Sequence, residues 1–268
     1  MPQTLPTSIL PLDWGARRVD VEHAWLRPER TGRPLLVFLH EGLGSVAAWK
    51  GFPLRLCEAA DVRGLVYSRP GYGRSTPRAP GERWAPDYLH RQATGLLPAL
   101  LAALDVREPP WLFGHSDGGS IALIHAASFP ARVAGLVVVA PHIDVEPVAL
   151  AGLRAAREAY ATTDLRGRLA RYHDDVDSAF GAWNDSWLAP AFETTFDLKP
   201  LLPAIACPLL AVQGEQDEYA TLEQIRGIAR LVPQAELLEL AHCGHSPHRD
   251  QPDRLVDATV RFLAAHGA

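Results

Sequence analysis

The sequence predicts an α/β fold, a mainly parallel central sheet covered by helices on both faces. Three observations carry that expectation. Short apolar runs of strand length, at 34–39, 65–67, 133–140 and 207–214, alternate with stretches of helical periodicity. Strands buried on both faces read in this way, as continuous apolar runs. One such run, Pro110-Trp111-Leu112-Phe113, passes through Gly114-His115-Ser116-Asp117-Gly118 directly into a helix-like stretch, Gly119 to Ile124. The alternation then breaks between about Val145 and Pro203, where the chain is rich in Ala, Arg and Leu and helical in character.

Taken in order, residues 1–16 read as an irregular arm. Val19 to Leu26 alternates and suits a half-exposed strand. A buried strand over 34–39 leads to a loop and a helix over about 46–60, and Leu65-Val66-Tyr67 forms the next strand. The Pro-, Gly- and Arg-rich stretch from Arg69 to Gly81 is a loop. Residues 86–104 place Leu89, Ala93, Leu96, Leu97, Leu100 and Leu104 on one helical face. After the helical stretch, strands over 207–214 and 235–240 and a closing helix complete the chain.

The glycine-flanked serine is the chemical centre of this pattern. A sharp strand-to-helix turn lifts the Ser116 hydroxyl clear of the sheet, and glycines leave room for the turn. A serine hydroxyl is a weak nucleophile until a base takes its proton and an acid orients that base. Asp217 follows the strand at 207–214. His245 follows the strand at 235–240, within His242-Cys243-Gly244-His245-Ser246-Pro247-His248. All three lie just after strands, so a parallel sheet would gather them at one edge. Asp144, after an earlier strand, is the rival acid, and His242 and His248 flank the favoured base. The histidine cluster lacks the paired ligands of a zinc site, and no metal or cofactor is expected.

Five segments in this order make the chain similar to the α/β-hydrolase superfamily along almost its whole length. Residues 35–45, with His40-Glu41-Gly42-Leu43-Gly44, resemble the family's oxyanion-loop strand. Tyr67 to Ser75 resembles its Asp-x-Pro-Gly segment, Gly114 to Gly118 its nucleophile elbow, Gln213 to Asp217 its acid loop, and Gly244 to Pro252 its histidine loop. The resemblance implies an α/β-hydrolase core over 1–144 and 204–268. It implies a helical lid, 145–203, inserted after the sixth core strand. It also implies an oxyanion hole from the backbone N–H groups of Gly42 and Asp117, with the Asp117 side chain at most capping the helix. His40 would orient the oxyanion loop and His115 support packing at the turn. Two positions depart from the pattern: Glu41 stands where the family has glycine, and Ser68 where it has aspartate. Glu41 either bonds a loop amide or lines the pocket. Arg69, Trp49, Trp183 and Trp187 are further pocket candidates, with Arg69 suited to a substrate carboxylate.

The expected function is a serine hydrolase that cleaves a small carboxylic ester or thioester through an acyl-enzyme. The alternatives are a C–C bond hydrolase of aromatic catabolism on the same triad and a non-catalytic ligand receptor on the same fold. A formal net charge of −5 with no basic run argues against nucleic acid or an anionic membrane as partner. Three scattered cysteines and no signal-like N-terminus suit a cytoplasmic protein that acts on a small molecule.

Overall fold

The structure, a computed structural model, describes residues 5–268. Its described residues build one eight-stranded sheet of order β1-β2-β4-β3-β5-β6-β7-β8. The strands are β1 (Ser8–Trp14), β2 (Arg17–Leu26), β3 (Leu35–Leu39), β4 (Arg63–Tyr67), β5 (Trp111–His115), β6 (Gly135–Val139), β7 (Leu209–Gly214) and β8 (Ala235–Leu240). β2 pairs antiparallel with both β1 and β4, and every other pair is parallel.

Alternate residues of each central strand feed the two halves of the core. On β3, Leu35, Val37 and Leu39 pack with Leu97, Ile121, Leu123 and Ile225 on one face. Leu36 and Phe38 pack with Leu56, Leu255 and Phe262 on the other. The first face is covered by α3 (Leu97–Ala103), α4 (Asp117–Ser128) and, later in the chain, the helix Glu223–Leu231. The second is covered by α1 (Phe52–Ala60) and the C-terminal helix Pro252–Ala265. Ahead of α3 lie the short α2 (Tyr88–Arg91) and a π-turn, Gln92–Leu96.

Between β6 and β7 the chain leaves the sheet and forms α5 (Pro147–Thr162), α6 (Leu165–Leu169), α7 (Val176–Trp187) and α8 (Pro190–Thr195). Glu223–Leu231 is α9, Pro247–Asp250 is α10 and Pro252–Ala265 is α11. No helix among the described residues is long and apolar enough to cross a membrane.

Three expectations need correction. The supposed irregular arm contains β1 over its residues 8–14; residues 1–4 lie outside the described residues. Pro11 hid this strand from the sequence pattern, yet an edge strand tolerates a residue without an N–H. The helix expected over about 46–60 begins only at Phe52, because 46–51 form turns with Lys50 at φ 53°. β2 is mostly buried rather than half-exposed. The Arg69–Gly81 loop folds over it: Glu22 N–H donates to Ser75 Oγ (2.8 Å), and the Glu22 carboxylate accepts from Ser68 Oγ (2.7 Å) and Arg74 N–H (3.1 Å). Ser68 Oγ in turn accepts from Val46 N–H (2.9 Å). A carboxylate thus reaches this loop from β2, although Ser68 occupies the aspartate position.

Candidate active site

Ser116 directly follows β5, at φ 51° and ψ −118°, a positive-φ conformation that side-chain-bearing residues rarely adopt. Packing enforces it. The Ser116 N–H donates to the Val139 carbonyl at 2.9 Å, and α4 starts at the next residue. A Cβ at Gly118 would overlap the Leu39 carbonyl, so only glycine lets α4 lie this close to β3.

The other two chemical groups come from neighbouring strand ends. β7 and β8 pair up to Gly214 and Leu240. Beyond them, Glu215 N–H reaches the Leu240 carbonyl (3.0 Å) and Gln216 N–H the Cys243 carbonyl (2.9 Å). These bonds tie the acid loop to the histidine loop. The Glu218 carboxylate adds a bond from His245 N–H at 3.1 Å.

The result is a continuous relay. His245 Nε2 lies 3.0 Å from Ser116 Oγ, and His245 Nδ1 lies 2.9 Å from both carboxylate oxygens of Asp217. Asp217 Oδ1 also accepts from the N–H groups of Tyr219 (2.8 Å) and Ala220 (3.2 Å), and Oδ2 accepts from Gln213 Nε2 (3.2 Å). Burial pushes the Asp217 carboxyl up, but the bond from His245 and these amides hold it below its ordinary range. Burial likewise works against a charged His245, and the facing Asp217 overrides it, so the imidazole stays basic.

The remaining sequence candidates divide. Glu41, Gly42, Asp117, Trp183 and Trp187 line a cavity of about 220 Å³ around Ser116 and His245. Trp183 lies so close over Gly42 that a Cβ there would collide with its indole. Glu41 is 18% exposed, 3.6 Å from His115 Nδ1 and 3.7 Å from Arg249 Nη2. Burial pushes its carboxyl up, but His115, with His248 and Arg249, outweighs this and holds it well below the usual range.

Arg69 and Trp49 do not line the cavity. Trp49 packs among Phe38, Phe52, Phe113 and His248, inside the core. Arg69 is fully buried and paired with Asp117 at 3.5 Å, so it is not available to a substrate carboxylate. The Asp117 side chain does not cap α4, as its carboxylate turns to side-chain partners instead. Its Oδ1 accepts from Trp187 Nε1 and its Oδ2 from the Tyr88 hydroxyl, both at 3.0 Å. Tyr72, beneath the Arg69 guanidinium, also stays outside the cavity.

Asp144 binds Lys199 Nζ and Gln224 Nε2, each at 2.7 Å, instead of a histidine. His115 Nε2 donates to the His245 carbonyl at 2.7 Å. His248 is buried against His115, with its imidazole pushed down to about 2 chiefly by burial. No group of three or more metal-ligating side chains converges among the described residues.

Among the lining residues that sequence reasoning missed are His142, Tyr172, Tyr219 and Arg249. Tyr219 and His142 each follow a strand end on the same sheet edge as the relay, which was a usable signal. Tyr172 and Arg249 sit in helical surroundings that gave none. A larger groove, about 940 Å³, lies by β1, β2 and α2, but none of the relay residues lines it.

A serine on a strained elbow, hydrogen-bonded to a histidine that is itself bonded to an aspartate, at one edge of a mainly parallel sheet, fits the α/β-hydrolase class. The chain belongs to the alpha/beta hydrolase family, whose model matches residues 36–258, and it is a hydrolase. It is 26% identical over 272 residues to the 2-succinyl-6-hydroxy-2,4-cyclohexadiene-1-carboxylate synthase of Salmonella newport (strain SL254), covering 90% of this chain and 98% of that protein. It is 30% identical over 201 residues to the pimeloyl-[acyl-carrier protein] methyl ester esterase of Stenotrophomonas maltophilia (strain K279a), covering 63% and 75%. Its fold is similar to that of the esterase RhEst1 from Rhodococcus sp. ECU1013, with a TM-score of 0.75, 20% identity, and 97% and 100% of the two chains covered.

Proposed function

We propose that the protein is a serine hydrolase that cleaves a small carboxylic ester or thioester through an acyl-enzyme. The observation that carries this reading is the unbroken Ser116–His245–Asp217 relay opening onto a cavity that mixes apolar side chains (Leu153, Trp183, Trp187) with polar ones (Glu41, Arg249). His245 Nδ1–H donates to Asp217, which leaves Nε2 free to take the Ser116 proton as Oγ attacks the carbonyl. The N–H groups of Gly42 and Asp117 receive the developing oxyanion; one such donor is worth about 3–4 kcal/mol in comparable enzymes. His245 returns the proton to the leaving group, then activates the water that releases the acid.

In the same reading, residues 1–144 and 204–268 are the core and 145–203 are a lid. Leu153, Leu169, Tyr172, Trp183 and Trp187 reach the cavity from that segment. A volume of about 220 Å³ falls below the usual ligand range of roughly 300–1,000 Å³, which favours a short acyl or single aryl group. The relative's esterase activity supports an ester over other carbonyl compounds. A complete relay weighs against a receptor without turnover.

The test is hydrolysis of short aryl esters, an acyl-CoA thioester and a 2-hydroxy-6-oxo-dienoate, with labelling by a fluorophosphonate. Ester or thioester turnover that falls by about four orders of magnitude or more in Ser116→Ala, with label confined to Ser116, is the expected result. Near-normal rates in Ser116→Ala would sink the mechanism, and preference for the dienoate would move the protein to C–C cleavage. Glu41→Gln is expected to change relative rates across the panel more than it changes Ser116 labelling. Unchanged relative rates would remove Glu41 from substrate recognition.

A further inference from the structure

Arg69 makes more contacts than its burial alone would require. Its backbone N–H donates to His40 Nε2 at 3.0 Å, and His40 Nδ1–H donates to the Glu41 carbonyl at 2.7 Å. Its own Nη2 donates to that same carbonyl at 2.9 Å. The Glu41 C=O and the Gly42 N–H belong to one planar peptide unit and point in opposite directions. The Gly44 N–H completes the hold on this oxygen at 3.1 Å, and fixing the oxygen aims the Gly42 N–H the other way, on a loop whose Gly42 lines the cavity.

The same guanidinium faces Asp117 Oδ2 at 3.5 Å through both Nη atoms. Asp117 supplies the second N–H of the proposed oxyanion hole. Its carboxylate is held further by Tyr88 from one side and by Trp187 of α7 from the other. Both members of this ion pair are fully buried. Water therefore cannot replace a lost partner, and the arrangement is held to one geometry.

We infer that Arg69 is the positioning residue of the oxyanion hole, setting the Gly42 and Asp117 N–H groups at one mutual spacing, with Trp187 locking the helical segment to the same carboxylate. The inference rests on the proposed serine mechanism. Arg69 touches no substrate; it acts through the two peptides it holds. Lysine cannot replace it, because one ammonium lacks the planar fork that reaches a carbonyl and a carboxylate together.

The experiment uses an aryl trifluoromethyl ketone, whose free ketone form adds the serine oxygen at its carbonyl carbon as the hydroxyl proton passes to His245, giving a hemiketal alkoxide where the oxyanion develops. Its affinity and its 19F signal are measured on the wild type, Arg69→Lys, Arg69→Met and Tyr88→Phe, beside kcat and KM on the best aryl ester. Active-site titration corrects each value for correctly folded enzyme. The expected result is a loss of ketone affinity and kcat of about 10-fold or more in Arg69→Lys and larger in Arg69→Met, with KM within about threefold. Tyr88→Phe, which removes one hydroxyl outside the cavity, is expected to lose about threefold in the same two quantities. If both Arg69 variants fail to fold, Tyr88→Phe decides, and unchanged ketone affinity and kcat there overturn the inference. Unchanged values in a folded Arg69→Lys overturn it equally. A wild type that forms no hemiketal, or forms one that survives in Ser116→Ala, overturns the serine mechanism and this inference with it.

Discussion

Ser116 holds a φ of 51° that glycine would adopt without cost. Ser116→Gly is therefore expected to be more stable than Ser116→Ala by about 1 kcal/mol, read from urea denaturation. Equal stabilities would mean that the elbow is not strained. His245 must be neutral to accept a proton, and Asp217 raises its pKa above the ordinary value of about 6.5. The rate constant kcat/KM should thus fall as pH drops through an apparent pKa above that of a free imidazole. Asp217→Asn removes the raising charge, so the acid limb should move to lower pH while turnover falls by about 10⁴-fold. A pH–rate profile whose acid limb stays in place would exclude His245 as the titrating base. At this scale Ser116, Asp217 and His245, the proposed triad, were legible as candidates, because each sits on its own strand-end loop, and the structure brings the three within hydrogen-bond distance. The role of Arg69 was not, since a sequence does not say whether an arginine faces a cavity or a buried aspartate.

Elements meet at the site through close backbone approaches. α4 buries ten of its twelve residues and crosses β3 at Gly118. Gly118→Ala would place a methyl group on the Leu39 carbonyl, with an expected loss of about 3 kcal/mol. A denaturation midpoint equal to that of the wild type would show that α4 can shift away. α6, by contrast, buries no residue. Hydrogen exchange should therefore run faster in α6 than in α4, by local opening rather than global unfolding. Uniform protection across the two helices would tie the helical segment rigidly to the core. The start of α1 and the existence of β1 escaped the sequence pattern for local reasons, a run of turns before Phe52 and a proline inside an edge strand.

The three cysteines sit apart and buried, in α1, ahead of β7 and in the histidine loop. Burial pushes the Cys57 thiol up to about 12 and those of Cys207 and Cys243 up to about 11. The thiolate is the reactive form, so iodoacetamide at pH 8 should leave the native protein almost unmodified and alkylate three sites once denaturant unfolds it. Native alkylation faster than unfolding would reveal local opening around that cysteine.

The sequence by itself determined the alternation of strands and helices, the serine at the strand-to-helix turn, and the placing of Asp217 and His245, the proposed acid and base, just after later strands. Each of these is written in a few consecutive residues whose periodicity or turn chemistry is a local property. Tertiary structure alone decided which side chains face the cavity. Trp183 and Trp187 reach it from a helix while Trp49 is absorbed by the core, and Arg69 turns inward to meet Asp117. Those outcomes depend on how segments far apart in the chain pack and satisfy one another's buried polar groups, which no short window of sequence records.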